Sequence, residues 1–146
     1  MIRATHPASV RGFTLIEALI VMAVLAILAA VGIPNYSRYV TRGQLVEATN
    51  ALAEYRVRME QFYQDNRSYQ AAGGGCGAAV PANLTNFAVT CVIAAAGQAY
   101  TATATGSNTT NGFVYNVDQA NVRSTTGLPT YWGTLGADAA TRWVTR

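Results

Sequence analysis

Glu17 stands four residues into an apolar run that extends from Phe13 to Ile33, immediately after Arg11-Gly12. An ionisable side chain inside such a run is expensive and is a functional candidate by default. The other reactive side chains are sparse. The single histidine, His6, lies before the run, so histidine-based triads and general-base arrangements have no member in the remainder of the chain. The acids beyond the run are Glu47, Glu54, Glu60, Asp65, Asp118 and Asp138. The three glutamates fall at helix-surface spacings that solvation and ion pairing explain better than paired-carboxylate catalysis. Asp118 reads as a turn residue rather than a calcium ligand, because no acidic cluster accompanies it. Gly73-Gly74-Gly75 lacks the Lys-Ser/Thr and following helix of a phosphate loop. The expectation is a protein that is not an enzyme and needs no metal or cofactor.

Cys76 and Cys91 have no second pair of soft ligands nearby, which leaves a zinc site incomplete. If this part of the chain is exported, a disulfide between them is the better reading; two free thiols in a cytoplasmic protein are the alternative. All ten basic side chains are arginines, and without residues 1–12 eight of them face seven acids, a charge near +1. The chain as a whole therefore has no strong electrostatic footprint for nucleic acid. Arg123, Arg142 and Arg146 with Trp143 are the one candidate set for DNA binding; the competing reading is solvated arginines and a packing tryptophan.

The elements that position these residues fall into zones. Residues 1–12 are short, polar and basic. Residues 13–36 form an apolar helix in which twelve of positions 13–33 are Leu, Ile, Val or Phe. Such a helix spans roughly 30 Å, the core of a bilayer. At about 0.3–0.6 kcal/mol each, these side chains outweigh the roughly 3 kcal/mol that one central acid costs. Arg3 and Arg11 place the N-terminus in the cytoplasm. Gly32 and Pro34 predict a bend or local unwinding near the outer end.

Residues 37–67 read as an amphipathic helix, with Leu45, Ala48, Leu52, Tyr55, Met59 and Phe62 along one face and Glu54–Arg58 and Arg56–Glu60 as i,i+4 pairs on the other. Residues 68–86 are a Gly-rich connecting loop. Residues 87–146 hold alternating runs around Phe87–Ile93, Tyr100–Thr105, Phe113–Val117 and Val122–Thr126, separated by turn-forming residues. The pattern predicts an α+β fold, a long N-terminal helix packed on three or four antiparallel strands. Trp132 and Trp143 are expected to fold the tail back onto the sheet.

A short basic leader ending in Gly12, then Phe13-Thr14-Leu15-Ile16-Glu17, an apolar helix, and Gly32-Ile33-Pro34 before Tyr36 resemble the type IV pilin family. The segment 55–69 followed by a small sheet looks most like a bacterial minor pilin. The resemblance implies the pilin fold, cleavage by prepilin peptidase between Gly12 and Phe13, and N-methylation of Phe13. It also implies that Glu17 pairs with the terminal amine of a neighbouring subunit during assembly. Physical chemistry supports that last role: amine and carboxylate each cost several kcal/mol alone in an apolar filament core, and pairing relieves much of that while fixing register. The chain departs from the many pilins that close a disulfide loop near the C-terminus, since its only cysteine pair lies earlier.

The implied partners are other pilin subunits, prepilin peptidase, the inner-membrane assembly machinery and, before assembly, membrane lipid. The implied localisation is the bacterial inner membrane for the precursor and the extracellular filament thereafter. The alternatives are a type II secretion pseudopilin, or a pilin with a DNA-uptake or adhesive role. A secretory signal cut after Ala30-Val31-Gly32 fits less well, because its apolar region would be too long and would contain a glutamate.

Overall fold

In the computed structural model, which describes residues 12–145, the apolar run and the amphipathic segment form one helix, α1 (Leu15–Asn66). The leader with His6, and the terminal Arg146, lie outside the described residues. The chain divides between Arg38 and Tyr39 into two compact units.

The described part of the first unit is the beginning of α1. Its apolar side chains are exposed throughout, and the helix is long and apolar enough to cross a membrane. Helical structure continues through Gly32 and Pro34. Pro34 cannot donate to the preceding turn. Flanking side chains bond to the helix around it: the Asn35 amide donates to the Val31 carbonyl (3.0 Å) and the Ser37 hydroxyl to the Pro34 carbonyl (3.0 Å).

The second unit is built on the remainder of α1 and a four-stranded antiparallel meander: β1 (Phe87–Ala94), β2 (Ala99–Gly106), β3 (Val114–Asp118) and β4 (Arg123–Gly127), in spatial order β1-β2-β3-β4. Leu45, Ala48, Leu52, Tyr55 and Met59 recur at helical spacing and are fully buried. They meet Phe87 and Val89 of β1, Tyr100, Ala102 and Ala104 of β2, and Tyr115 and Val117 of β3, with Phe113, in one core. The alternation along each strand is what puts these side chains on one face. Alanine at 102 and 104 in an inner strand leaves room for the tyrosines around them; Tyr55, Tyr69 and Tyr100 meet edge-on.

α1 ends where Arg67 turns left-handed (φ 54°), its amide bonded to the Tyr63 carbonyl at 2.6 Å. The connecting loop is stitched down at several points. Cys76 and Cys91 form a disulfide that joins it to β1. The Tyr55 hydroxyl donates to the Ala78 carbonyl (3.2 Å), and the Ala78 amide bonds the Met59 sulfur (3.4 Å). Gly77 is required here, because a Cβ at that position would lie 2.1 Å from the Phe62 ring.

Of the two expected ion pairs on α1, Glu54–Arg58 forms at 3.8 Å. Glu60 instead accepts a hydrogen bond from the Tyr69 hydroxyl (3.1 Å). Glu47 also departs from the expected solvated face: its carboxylate accepts from the backbone amides of Thr85 and Asn86 and from the Asn86 side chain. Asp118 is the turn residue expected, accepting from the Val122 amide at 2.9 Å.

Candidate functional site

Two regions bear on function, one in each unit. In the first, Gly12, Phe13, Thr14 and Glu17 surround one surface hollow, and all four are exposed. The peptide bond between Gly12 and Phe13 is therefore open to solvent. Thr14 caps α1: its hydroxyl accepts from the Glu17 amide (3.3 Å), and its carbonyl receives the Ala18 amide (3.2 Å). Thr14 to Glu17 has the Thr-x-x-Glu spacing of a capping box, a signal legible in sequence and not drawn on there. The same spacing puts Glu17 in the first turn, where the helix dipole favours a negative charge. Phe13 is 83% exposed, and the apolar surface continues from it along the helix to Ile33. A continuous apolar surface of that size needs a membrane or another protein to cover it.

The second region depends on how the tail returns. Trp132 packs edge-on against Phe113 with ring centroids 5.2 Å apart. The Trp143 indole N–H donates to the Asn116 carbonyl (2.8 Å), so both tryptophans fold the tail onto the sheet as expected. The Tyr115 hydroxyl donates to the Val144 carbonyl (2.7 Å). The Thr125 hydroxyl donates to the Arg142 carbonyl (3.1 Å) and accepts from the Val144 amide (2.9 Å). The tail is thus held to the sheet by hydrogen bonds.

These attachments open a groove of about 750 Å³ between the tail and one flank of α1. Arg123 and Arg142, singled out from sequence, both line it, and Trp143 lies between tail and sheet beside them. Arg123 stacks over the Trp143 ring at 4.7 Å, and Arg142 pairs with Asp138 one turn earlier. Sequence reasoning missed Arg42, which enters the same groove from α1 and lies 5.8 Å from the Trp132 ring. Nothing local marks Arg42, since Arg123 and the tail residues that complete the groove lie roughly 80 to 100 residues away in the chain.

Burial raises the titration of three core tyrosines above the ordinary phenol range: Tyr55 to about 12, and Tyr100 and Tyr115 further still. Tyr69 is also raised, by burial first and then by its hydrogen bond to Glu60. These are properties of the core and not of either candidate region.

Residues 34–114 match the family model described as "Type IV minor pilin ComP, DNA uptake sequence receptor", and residues 8–33 match the "Prokaryotic N-terminal methylation motif". Among curated relatives, the fimbrial protein EcpC of Eikenella corrodens is 36% identical over 99 residues, covering 68% of this chain and 64% of the relative. Prepilin peptidase-dependent protein D of Escherichia coli (strain K12) is 31% identical over 102 residues, covering 70% of this chain and 67% of that protein. Type IV major fimbrial protein FimA of Dichelobacter nodosus is 44% identical over 55 residues, covering 38% of this chain and 34% of that protein. The chain thus spans just under two thirds of the length of the Eikenella protein. No solved structure matches.

Proposed function

The chain belongs to the type IV minor pilin family, and from that premise we propose that it works as a structural, non-enzymatic subunit of a type IV pilus. Its precursor is held in the inner membrane by the apolar part of α1, with the N-terminus in the cytoplasm. Prepilin peptidase cuts between Gly12 and Phe13, Phe13 is N-methylated, and the assembly machinery draws the helix into the filament among other pilin subunits. Glu17 then pairs with a neighbouring terminal amine. Pro34, which has no N–H to give to the preceding turn, and Gly32 nearby are where bending or melting on assembly is expected.

The observation that carries this reading is the exposed apolar surface of α1 that begins at Phe13, with a capped, exposed Glu17 in its first turn. Intact-mass analysis of protein from sheared filaments tests it. The expected species begins at Phe13 and carries one extra methyl group. A chain that retains Gly12, or an unmethylated Phe13, would overturn the proposal. A type II secretion pseudopilin is the less favoured reading, because the matching family model is that of a pilus subunit.

A second reading, a pilin that binds DNA during uptake, is favoured by one specific observation. Arg42, Arg123 and Arg142 line a single groove whose lining, among the described residues, contains no acidic side chain. The description of the matched family names a DNA uptake sequence receptor. Retention of labelled duplex DNA by the full-length protein in detergent is the test, and absence of retention at low salt would remove this reading while leaving the filament role intact.

A further inference from the structure

The geometry points to a phosphate clamp: the groove between α1 and the tail takes the sugar-phosphate backbone of duplex DNA through Arg42, Arg123 and Arg142, and Asp138 holds Arg142 until a phosphate displaces it. The inference rests on the DNA-uptake reading above and assigns that reading a site, a mode of contact and an internal competitor.

The three arginines come from three separate elements: Arg42 from α1, Arg123 from the start of β4, and Arg142 from the tail. All three are exposed. Their shared groove has Val46, Asn50 and Ala53 of α1 along one side and, among the described residues, no acidic side chain in its lining. Guanidinium groups that share one groove suit phosphate oxygens, which they engage as forks.

The mode of contact follows from what the aromatic residue is already doing. One face of the Trp143 ring is occupied by Arg123 at 4.7 Å, and its N–H is committed to the Asn116 carbonyl. An indole so engaged is not a free platform for stacking the bases of a single strand. The surface is also concave. Reading bases in the major groove calls for an element that protrudes into it, a helix or a β-ribbon, whereas a concave basic groove accepts the ridge of a backbone. Phosphate contact of this kind positions DNA without reading its sequence.

Asp138 supplies the competitor. Its carboxylate pairs with Arg142 four residues on, both side chains being more than half exposed. Exposed pairs of this kind hold weakly in water, so a phosphate in the groove can replace the carboxylate. Among the described residues, Arg42 and Arg123 face no such partner in the groove lining. Arg123 bonds only the neutral Asn121 side chain, at 3.4 Å.

Fluorescence anisotropy of labelled duplex DNA with full-length protein in detergent, over a salt series, tests the clamp. Three phosphate contacts give a log–log salt slope of about −2.7. Each of Arg42→Ala, Arg123→Ala and Arg142→Ala is expected to weaken binding several-fold and to take about one unit from the slope. Asp138→Asn is expected to tighten binding several-fold at low salt, an outcome that impaired folding cannot produce. Asp65→Asn adds the same charge at the far end of α1 and is expected to change nothing. The clamp is overturned if the triple arginine variant binds like the unaltered chain, or if Asp138→Asn and Asp65→Asn act alike. Binding to heparin with none to DNA would assign the groove to another polyanion and overturn it too. Failure of the unaltered chain to bind DNA at all removes the DNA-uptake reading, whereas DNA binding untouched by the variants removes only this site.

Discussion

The hydroxyl of Tyr115, in β3, donates a 2.7 Å hydrogen bond to the carbonyl oxygen of Val144, two residues from the end of the chain. Thr125, on the neighbouring strand, makes the two companion bonds to Arg142 and Val144. Removing Tyr115's hydroxyl leaves a half-buried carbonyl without its donor, and Tyr115→Phe is expected to cost about 1–2 kcal/mol. Thr125→Val, which loses both bonds, is expected to cost at least as much. Urea denaturation measures the cost, and faster hydrogen exchange at the Val144 amide in Thr125→Val localises it. Unchanged exchange would mean that the tail is held by other contacts.

Alkaline pH should unfold the globular unit through its tyrosines. Tyr55 titrates at about 12 in the folded chain, against 10.0 for an ordinary tyrosine. Below pH 10 the phenol is neutral in both states, and its contribution to stability is fully present. Between those values the unfolded state releases the proton and the folded state keeps it, so stability falls as pH rises. Each such tyrosine contributes a slope of about 1.4 kcal/mol per pH unit. Tyr100 and Tyr115, raised further by burial, extend the decline to higher pH. Denaturation midpoints are expected to be insensitive to these groups below pH 10 and to fall steadily above it; Tyr55→Phe should flatten the first part of that fall.

Glu47 fastens the entry to β1. Its carboxylate takes the backbone amide of Asn86 at 3.1 Å and the Asn86 side chain at 2.7 Å, beside the Thr85 amide. Hydrogen bonds to a charged acceptor are worth about 1.5–3 kcal/mol. Glu47→Ala is expected to destabilise the globular unit by about that amount and Glu47→Gln by less. Thermal denaturation of the pair checks the order; equal losses would mean that the charge is immaterial.

Glu17 should matter to assembly and not to folding. Its hydrogen bond in the described structure is made by its own backbone amide to Thr14, which any residue at that position can supply. Glu17→Val is therefore expected to leave membrane insertion and thermal stability unchanged while the subunit disappears from sheared filaments. Immunoblots of membrane and filament fractions would show it; normal abundance in filaments would exclude the pairing role.

Much of the fold is legible because its signals are periodic and local. Leu45, Ala48, Leu52, Tyr55 and Met59 declare one helix face by spacing alone, and Phe87 and Val89, then Tyr100, Ala102 and Ala104, declare the inner face of two strands by alternation. Gly12, Phe13 and Glu17 are legible as a junction of residue types. What stays hidden is contact between distant segments. Glu47 and Glu60 look like solvated helix acids until the loop brings Asn86 to one and Tyr69 to the other. Arg42 is an ordinary helix arginine until the returning tail completes a groove around it.

The bonds from Tyr115 and Thr125 to the tail have a consequence for how this surface can change. At positions 142 and 144 they engage peptide groups only, so the socket is blind to which side chain the tail presents there. Proline at 144 is excluded, since it would remove the N–H that Thr125 receives. Almost any other residue can be tried at 142 or 144 without detaching the segment. The tail is thus a replaceable cartridge in a fixed holder, and the side chains it presents can change without rebuilding the domain beneath it.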